Sequence, residues 1–292
     1  MIVVTTPTGR IGGRVVGTLL DRGEPVRVVV RDPARLPARV RDRAEVVAGS
    51  HGDPDVVAKA FAGADAVFWV TPADPRAGSV MATYLDFTRP ACEAFVNQGV
   101  GRVVGVSALG RGVPGHAGHV TASLAMDDMI AATGVPYRAL ANPSFMDNLL
   151  RQVAAIRDQG VFFGPLAADR AAPFCDTRDI ADVATRLLLD PSWTGAGEVA
   201  VLGPEDLSQH DMARVMSEVL GKPVRYRQVP YEAFKESLLG GGMSEAMAQA
   251  MVDMVRAKDD GLDNALPRTP ENTTPTSFRQ WCAEVLRPAV AG

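Results

Sequence analysis

Short apolar segments rich in valine alternate with longer helical segments along the first half of this chain. The stretches between the apolar segments are too long for β-hairpins, so each must carry the chain back across a sheet before the next strand begins. Strands joined in this way are parallel, and right-handed crossovers place helices on both faces of the sheet. The sequence therefore predicts an α/β fold built on a doubly wound parallel sheet.

The predicted elements divide the chain into two parts. The first four strands are expected to pair in the order 3-2-1-4, with a ligand crevice between strands one and four. After residue 145 the elements become shorter and less regular, so we assign 1–150 to the sheet domain and 151–292 to a smaller α/β part that binds substrate. Strands are predicted at 1–6, 25–31, 44–48, 64–70, 102–107 and 136–140, with the longest helix at 76–98 and a later strand at 198–202.

Composition and charge limit the classes of partner. Hydrophobic residues make up 47% of the 292 residues and charged residues 22%, as in an ordinary globular protein. The net charge of −4, without a cluster of Lys and Arg, argues against nucleic acid and a membrane surface. The chain shows no signal-peptide pattern, no run near the ~18 apolar residues that span a bilayer, and no cysteine spacing typical of a metal site. We expect a cytoplasmic monomer or homodimer without a metal.

The turn after the first strand has the composition of a phosphate-binding loop. It reads P-T-G-R-I-G-G over 7–13 and leads into an amphipathic helix. Such a turn presents backbone N–H groups and a positive helix end to a pyrophosphate, although an ordinary βα turn is the alternative. Gly9 is expected to take a dihedral closed to other residues, and Gly12 to allow a close approach of strand or phosphate. The predicted dinucleotide contacts here are Thr6, Thr8, Gly9, Arg10, Ile11 and Gly12.

Arg31 ends the second strand, nineteen positions after Gly12. A carboxylate at this place would bind the ribose hydroxyls of NAD, whereas an arginine suits the 2′-phosphate of NADP. The neighbouring Asp32 would repel a phosphate if its side chain pointed inward, and a solvent-facing arginine is the alternative. NADP is therefore favoured over NAD.

Three more candidates follow the third and fourth strands, at the edge where the crevice opens. Asp53 is in position to accept a hydrogen bond from the adenine amino group, or to cap the helix that begins with Pro54. Thr71 and Pro72 are predicted to lie beside the adenosine, with a simple strand stop as the alternative.

Ser107 and His119 are the candidate catalytic residues. Ser107 ends the fifth strand, at the sheet edge where ligands bind in open α/β folds, and His119 starts the next helix. A hydroxyl and an imidazole can both polarise a substrate carbonyl. The alternative for His119 is a solvent-exposed position in the first helical turn. His51 and His210 are predicted to be surface residues.

Stretches in order along nearly the whole chain resemble the NmrA-like family of atypical short-chain dehydrogenases/reductases. They include V-T-T-P-T-G-R-I-G-G, V-R-V-V-V-R-D-P, V-V-G-V-S-A, P-S-F-M-D-N and the D-I-A-D-V-A helix. The resemblance implies a Rossmann domain for NAD(P) and a small C-terminal part for substrate. It also implies either a reductase of quinones, ketones or imines or a redox-sensing regulator without turnover.

The chain departs from that family at two places. Thr6 replaces the first glycine of the phosphate turn, which makes the turn less permissive. The Tyr-x-x-x-Lys pair of typical short-chain reductases is missing, because the matching segment runs from His119 to Ser123. Tyr137 belongs to the sixth strand and is not expected to substitute for that tyrosine. The chain is then either no enzyme or one whose reaction needs little acid catalysis, such as hydride transfer to a quinone or a conjugated ketone.

The segment after the sixth strand and the C-terminal helices are expected to roof a substrate pocket. Its predicted residues are Phe145, Met146, Asn148 and Phe162. We therefore predict an NADPH-dependent reductase that transfers a hydride to a small, apolar, aromatic ketone or quinone. The alternative is a non-catalytic NAD(P)-binding redox sensor that acts through a protein partner, and the missing Tyr and Lys favour it.

Overall fold

Seven parallel strands form the central sheet of the protein, which the computed structural model describes over residues 1–72 and 74–292. The strands are β1 (Ile2–Thr5), β2 (Val26–Val30), β3 (Glu45–Ala48), β4 (Ala66–Trp69), β5 (Val103–Ala108), β6 (Tyr137–Asn142) and β10 (Ala196–Ala200). In space they follow the order β10-β6-β5-β4-β1-β2-β3. This arrangement confirms the predicted doubly wound α/β fold and the 3-2-1-4 pairing of the first four strands.

Consecutive valines in the central strands contribute to two separate cores. Val3 and Val29 pack on one face of the sheet, whereas Val4 and Val28 pack on the other. All four are buried, because helices cover both faces. This explains why these strands are continuous apolar runs in the sequence rather than an alternation of apolar and polar residues.

Six helices pack against this sheet in the described part of the chain. They are α1 (Arg10–Asp21), α2 (Ala38–Arg43), α3 (Pro54–Phe61), α4 (Val80–Asn97), α5 (His119–Ala131) and α7 (Thr177–Leu189). α1 and α7 pack together on one face, and α3, α4 and α5 lie side by side on the other. The predicted helix at 76–98 begins later, at Val80, because the Ser79 Oγ caps it by accepting a hydrogen bond from the Ala82 N–H at 3.3 Å.

The later half of the chain completes the central sheet. β10 pairs with β6 from Ala196 beside Tyr137 to Ala200 beside Ala141. The strand predicted at 198–202 therefore lies two residues earlier and joins the main sheet at its edge. The division at residue 150 stays a prediction, and β10 and α7 tie this later segment to the first part.

The remaining elements enclose a third core, around Phe162, Phe278 and Trp281. Two small sheets lie beside it. One has the strand order β11 (Asp206–Leu207), β9 (Ala172–Cys175), β7 (Ser144–Phe145), and the other pairs β12 (Arg225–Gln228) with β8 (Val161–Gly164). In the described residues, no helix combines the length and hydropathy needed to cross a bilayer. The helices of this part of the chain are α6 (Val153–Gln159), α8 (Gln209–Leu220), α9 (Tyr231–Gly240), α10 (Glu245–Asp259), α11 (Phe278–Trp281) and α12 (Arg287–Ala291).

Replacing Ile180 by alanine tests whether α7 belongs to the first core. Ile180 is fully buried against the sheet and α1, so Ile180→Ala should lower the free energy of unfolding by about 2–5 kcal/mol. Val96→Ala, on the exposed side of α4, should change it by less than about 0.5 kcal/mol. Urea unfolding measures both, and equal effects would contradict the packing of α7 in this core.

Candidate active site

The chain bends at Thr6, directly after β1. Its φ of +51° makes Thr6 the one non-glycine residue with a positive φ in the part of the chain that the structure describes. The Thr6 carbonyl accepts a hydrogen bond from the Gly9 N–H at 3.0 Å and so closes the turn. The prediction of a special dihedral at Gly9 was wrong, because Gly9 has an ordinary φ of −81°. The left-handed position is instead the one where the family has its first glycine and this chain has Thr6.

Gly12 lets the first turn of α1 pack against the end of β1. A Cβ at this position would lie 2.4 Å from the Thr6 carbonyl oxygen and 3.0 Å from that of Thr5. The close approach predicted at Gly12 is therefore confirmed, and the partner is the strand. No side chain among the described residues accepts a hydrogen bond from the first N–H groups of α1, so these donors have no side-chain cap.

Two cavities meet at this turn. The first, of about 510 Å³, is lined by the turn, by the end of β4 and by the segment after β6. The second, of about 440 Å³, runs from the turn towards the end of β2. Thr6 and Pro72 line both, so the two cavities adjoin at the turn, and together they are called the groove. The predicted cofactor residues on its walls are Thr6, Thr8, Gly9, Arg10, Ile11, Gly12, Arg31, Thr71 and Pro72.

Arg31 and Arg35 supply positive charge to the second cavity. Both are exposed, and no acidic side chain in the described ranges pairs with either guanidinium. Asp32 also lines this cavity, but its Oδ1 accepts a hydrogen bond from the Ala34 N–H at 3.0 Å. The hydrogen bond orients the Asp32 carboxylate towards its own backbone, and this cavity holds two guanidinium groups against one carboxylate.

Asp53 takes one of its two predicted roles, the helix cap, whereas His51 differs from its prediction. Asp53 Oδ1 caps α3 by accepting hydrogen bonds from the N–H groups of Asp55 and Val56, and it does not line either cavity. The surface position predicted for His51 was wrong, because only 7% of it is exposed. Its Nε2 lies 2.9 Å from the Val70 carbonyl oxygen, and burial lowers the pKa of His51 to about 4. His51 is therefore neutral and lines the second cavity beside Arg31.

Arg10 links the phosphate turn to the segment after β6. Its guanidinium lies 3.2 Å from Asp147 Oδ1, and Asp147 Oδ2 accepts a hydrogen bond from Thr177 Oγ1 at 3.0 Å. Asp147 was not predicted as a site residue, since nothing in the sequence connects it with position 10. Arg10 stays 61% exposed, so its remaining N–H groups are available to a phosphate.

The predicted substrate residues separate into two pairs. Phe145 and Asn148 line the first cavity. Met146 and Phe162 are buried in the third core, away from the cavity wall. Their side chains therefore pack inside the C-terminal part and stabilise it. The predicted His210 is exposed at the start of α8, as expected.

Ser107 belongs to a buried polar cluster that extends into α5 and β6. Its Oγ donates a hydrogen bond to Asp127 Oδ2 and lies 3.2 Å from Ser123 Oγ. Tyr137 donates its hydroxyl hydrogen to Asp127 Oδ1 at 2.6 Å. Burial raises the pKa of Asp127 to about 6. Sequence reasoning missed Asp127, although the spacing of 119, 123 and 127 places all three residues on one face of a helix.

His119 lies apart from this cluster. In the described part of the chain no hydrogen bond joins it to Ser107; its ring packs edge-on to Tyr84, with centroids 6.1 Å apart. A hydrogen bond to the Met247 backbone fixes it to α10, and burial lowers its pKa. The catalytic role predicted for His119 stays a prediction.

The model of the NmrA-like family matches residues 1–280. The chain belongs to the NmrA-like family. The match covers the phosphate turn, both cavities and most of the third core, as the resemblance predicted.

Two relatives align with nearly the whole chain. The NAD(P)H azoreductase of Xenophilus azovorans is 30% identical over 275 residues, which are 94% of this chain and 93% of the relative. The (4-alkanoyl-5-oxo-2,5-dihydrofuran-3-yl)methyl phosphate reductase of Streptomyces griseus is 31% identical over 290 residues, which are 97% of each. The crystal structure of the Citrobacter triphenylmethane reductase with NADP(H) has a TM-score of 0.81 at 19% identity and covers 97% of this chain and 99% of its own. That last likeness concerns the fold.

Relieving the left-handed conformation of Thr6 should stabilise the protein. A β-branched residue with φ of +51° is strained by about 1–3 kcal/mol, so Thr6→Gly should raise the free energy of unfolding, by about 1 kcal/mol after the entropy that glycine adds to the unfolded chain. Thr8→Gly, in the same turn but without a positive φ, should lower it by about 0.5–1 kcal/mol. Urea unfolding without cofactor compares the two, and a destabilised Thr6→Gly would show that the Thr6 side chain matters more than its strain.

Proposed function

We propose that this protein is an NADPH-dependent reductase whose acceptor is a small, conjugated, aromatic compound. At the coarser level the chain is an NAD(P)H-dependent oxidoreductase of its family, as its azoreductase relative is. The observation that carries the proposal is the single groove that joins the uncapped N-terminus of α1 to Arg31 and Arg35. Such an arrangement supports a ligand that carries a pyrophosphate and a further anionic group.

The residues of the groove fit NADPH. The N–H groups at the start of α1 and the exposed Arg10 would hold the pyrophosphate, because Gly12 leaves no Cβ in the way. Arg31 and Arg35 would hold the 2′-phosphate, and guanidinium groups bind phosphate through paired, charge-assisted hydrogen bonds. In this cavity one carboxylate, that of Asp32, faces the two guanidinium groups of Arg31 and Arg35, a balance that favours a phosphate over ribose hydroxyls. When bound, the cofactor supplies a hydride from its nicotinamide ring.

The first cavity provides the acceptor side. Phe145, Leu150 and Val70 give it an apolar wall, and Asn148 and Arg151 add polar groups at its edge. The names of the relatives give an azo compound, an oxo-dihydrofuran and a triphenylmethane as acceptors, and each of these contains a conjugated or aromatic π system. An apolar wall binds such flat molecules through buried area.

The absence of the Tyr-x-x-x-Lys pair agrees with acceptors of this kind. A conjugated acceptor spreads the charge that arrives with the hydride over its π system, so it needs less acid catalysis than an isolated ketone does. The protein then works mainly by holding donor and acceptor at reacting distance in a site shielded from water. Ser107 is the polar side chain predicted to assist, at the end of β5.

The direct test is consumption of NADPH with a panel of acceptors. We expect oxidation with 1,4-naphthoquinone, an aromatic azo dye or a triphenylmethane dye, and faster oxidation than with aliphatic ketones. No oxidation with any acceptor, together with tight binding of NADPH and NADP⁺ at different affinities, would instead support the redox sensor. Calorimetry of both coenzymes separates that outcome from a chain that binds no dinucleotide.

Arg31→Ala should weaken the preference for NADPH over NADH. Loss of charge-assisted bonds to the 2′-phosphate, worth about 1.5–3 kcal/mol, should raise the dissociation constant for NADPH by about 10- to 100-fold and leave that for NADH almost unchanged. Arg22→Ala makes the same change of charge on an exposed arginine at the far end of α1 and serves as the control. Equal losses for NADPH and NADH, or equal effects of both variants, would remove Arg31 from the phosphate site.

A further inference from the structure

Asp127 is a buried acid that the proposed reaction does not use. It lies on α5 beneath the end of β5, and only 2% of it is exposed. Its two carboxyl oxygens have different partners, since Oδ1 accepts from the Tyr137 hydroxyl at 2.6 Å and Oδ2 accepts from Ser107 Oγ. A buried carboxyl group with these partners either has a purely structural role, linking α5, β5 and β6, or controls the hydrogen bonding of Ser107.

Ser107 is the member of this cluster that lies next to the crevice. In the register of β4 and β5, Trp69 pairs with Gly105, so two residues further along Thr71 lies beside Ser107. Thr71 lines the first cavity. Thr71 Oγ1 also lies 3.1 Å from the sulfur of Met126, the neighbour of Asp127 on α5. Ser107, at the end of β5 and 7% exposed, is thereby placed next to the part of the cavity wall that Thr71 forms, with Asp127 behind it.

The hydrogen bonds of Ser107 can be counted. A serine hydroxyl has one hydrogen and two lone pairs, and Ser107 Oγ already has Asp127 and Ser123 as neighbours. While Asp127 is ionised, the hydroxyl hydrogen points to the carboxylate, and a lone pair is left for the crevice. Once Asp127 carries a proton, that proton is donated to Ser107 Oγ. The hydroxyl hydrogen is then free to turn towards the crevice.

We infer that the protonation of Asp127 decides whether Ser107 offers a hydrogen-bond acceptor or a donor to the molecule in the crevice. Asp127 is in this sense a positioning residue, and Ser107 is the group that touches the substrate. The inference rests on the proposed function, because it concerns the acceptor site of that reaction. A donor aimed at the oxygen or nitrogen where negative charge develops lowers the barrier to hydride transfer, whereas a lone pair there raises it.

The charges around Asp127 place this change near neutral pH. Burial raises the pKa of Asp127 to about 6, and the hydrogen bonds from Ser107 and Tyr137 oppose that rise. From the loop after β5, Arg111 lies 3.9 Å from Asp127 Oδ2 and lowers the pKa, while Glu198 of β10 raises it. Arg111 is itself paired with Glu198 and Asp128, so its effect is partly neutralised.

The proposed reduction needs no reactant other than NADPH, the acceptor and water. With a quinone, the hydride brings two electrons and one proton from NADPH, and the second proton comes from water. Ser107 donates a hydrogen bond to the oxygen on which charge develops, and neither Ser107 nor Asp127 is consumed. Asp127 keeps its proton through the cycle below its pKa and is ionised throughout above it.

The decisive variant is Asp127→Asn, measured as kcat against pH with 1,4-naphthoquinone and saturating NADPH. An amide can accept from Tyr137 and donate to Ser107, as the protonated acid does, so it holds Ser107 in the donor state. The wild-type kcat should fall by up to about tenfold for each pH unit above pH 6, until a lower plateau is reached. Asp127→Asn should keep the high rate from about pH 5 to pH 8.

Two matched variants complete the test. Ser107→Ala should show the low rate at every pH, because the donor is gone. Tyr137→Phe removes a hydrogen bond that stabilises the carboxylate, so the fall in rate should move to higher pH. Thermal melting of each variant checks that it is folded.

An unchanged pH profile in Asp127→Asn, or a rate lowered at every pH, would overturn the inference and leave Asp127 with a structural role only. If no acceptor is reduced at all, the proposed function fails, and the ¹³C carboxyl resonance of Asp127 decides the inference by itself. We expect this resonance to titrate between about pH 5 and pH 8 and to shift in Ser107→Ala. A resonance that does not titrate in this range would overturn the inference independently of turnover.

Discussion

The contact between Gly12 and the Thr6 carbonyl sets the position of everything that the groove can bind. Because Gly12 has no Cβ, α1 begins directly against β1, and its N-terminal N–H groups face the crevice. The bend at Thr6 that allows this contact lies between the two cavities and lines both. One turn therefore joins the cavity where we propose the pyrophosphate to the one that Arg31 lines, and the strained residue Thr6 lies where the two meet.

Local patterns were sufficient to predict most of the fold. Runs of valine marked strands covered on both faces, and Asp53 was recognised as a cap candidate for α3, because capping depends on residues close in sequence. The parallel direction of the strands followed from the length of the crossovers. The groove could be predicted because Thr6 and Arg31 directly follow the first two strands, at the sheet edge where ligands bind.

Contacts between residues far apart in the chain could not be read in this way. Asp147 meets Arg10 only because the segment after β6 folds back over the phosphate turn. Asp127 and Asp128 are neighbours with the same side chain, yet Asp127 is buried and Asp128 is exposed to solvent. His51 was predicted at the surface, whereas in the structure Trp69 and Phe87 pack against its ring. In each case the burial of a polar group depends on tertiary packing rather than on local propensity.

The edge strand β10 has a consequence for the order in which this protein can be made. Until about residue 200 has left the ribosome, β6 has one unpaired edge, and the apolar face under α7 is open to water. A nascent chain of this kind presents a ready template for another strand. The arrival of β10 covers this edge of β6 with a strand of the same chain.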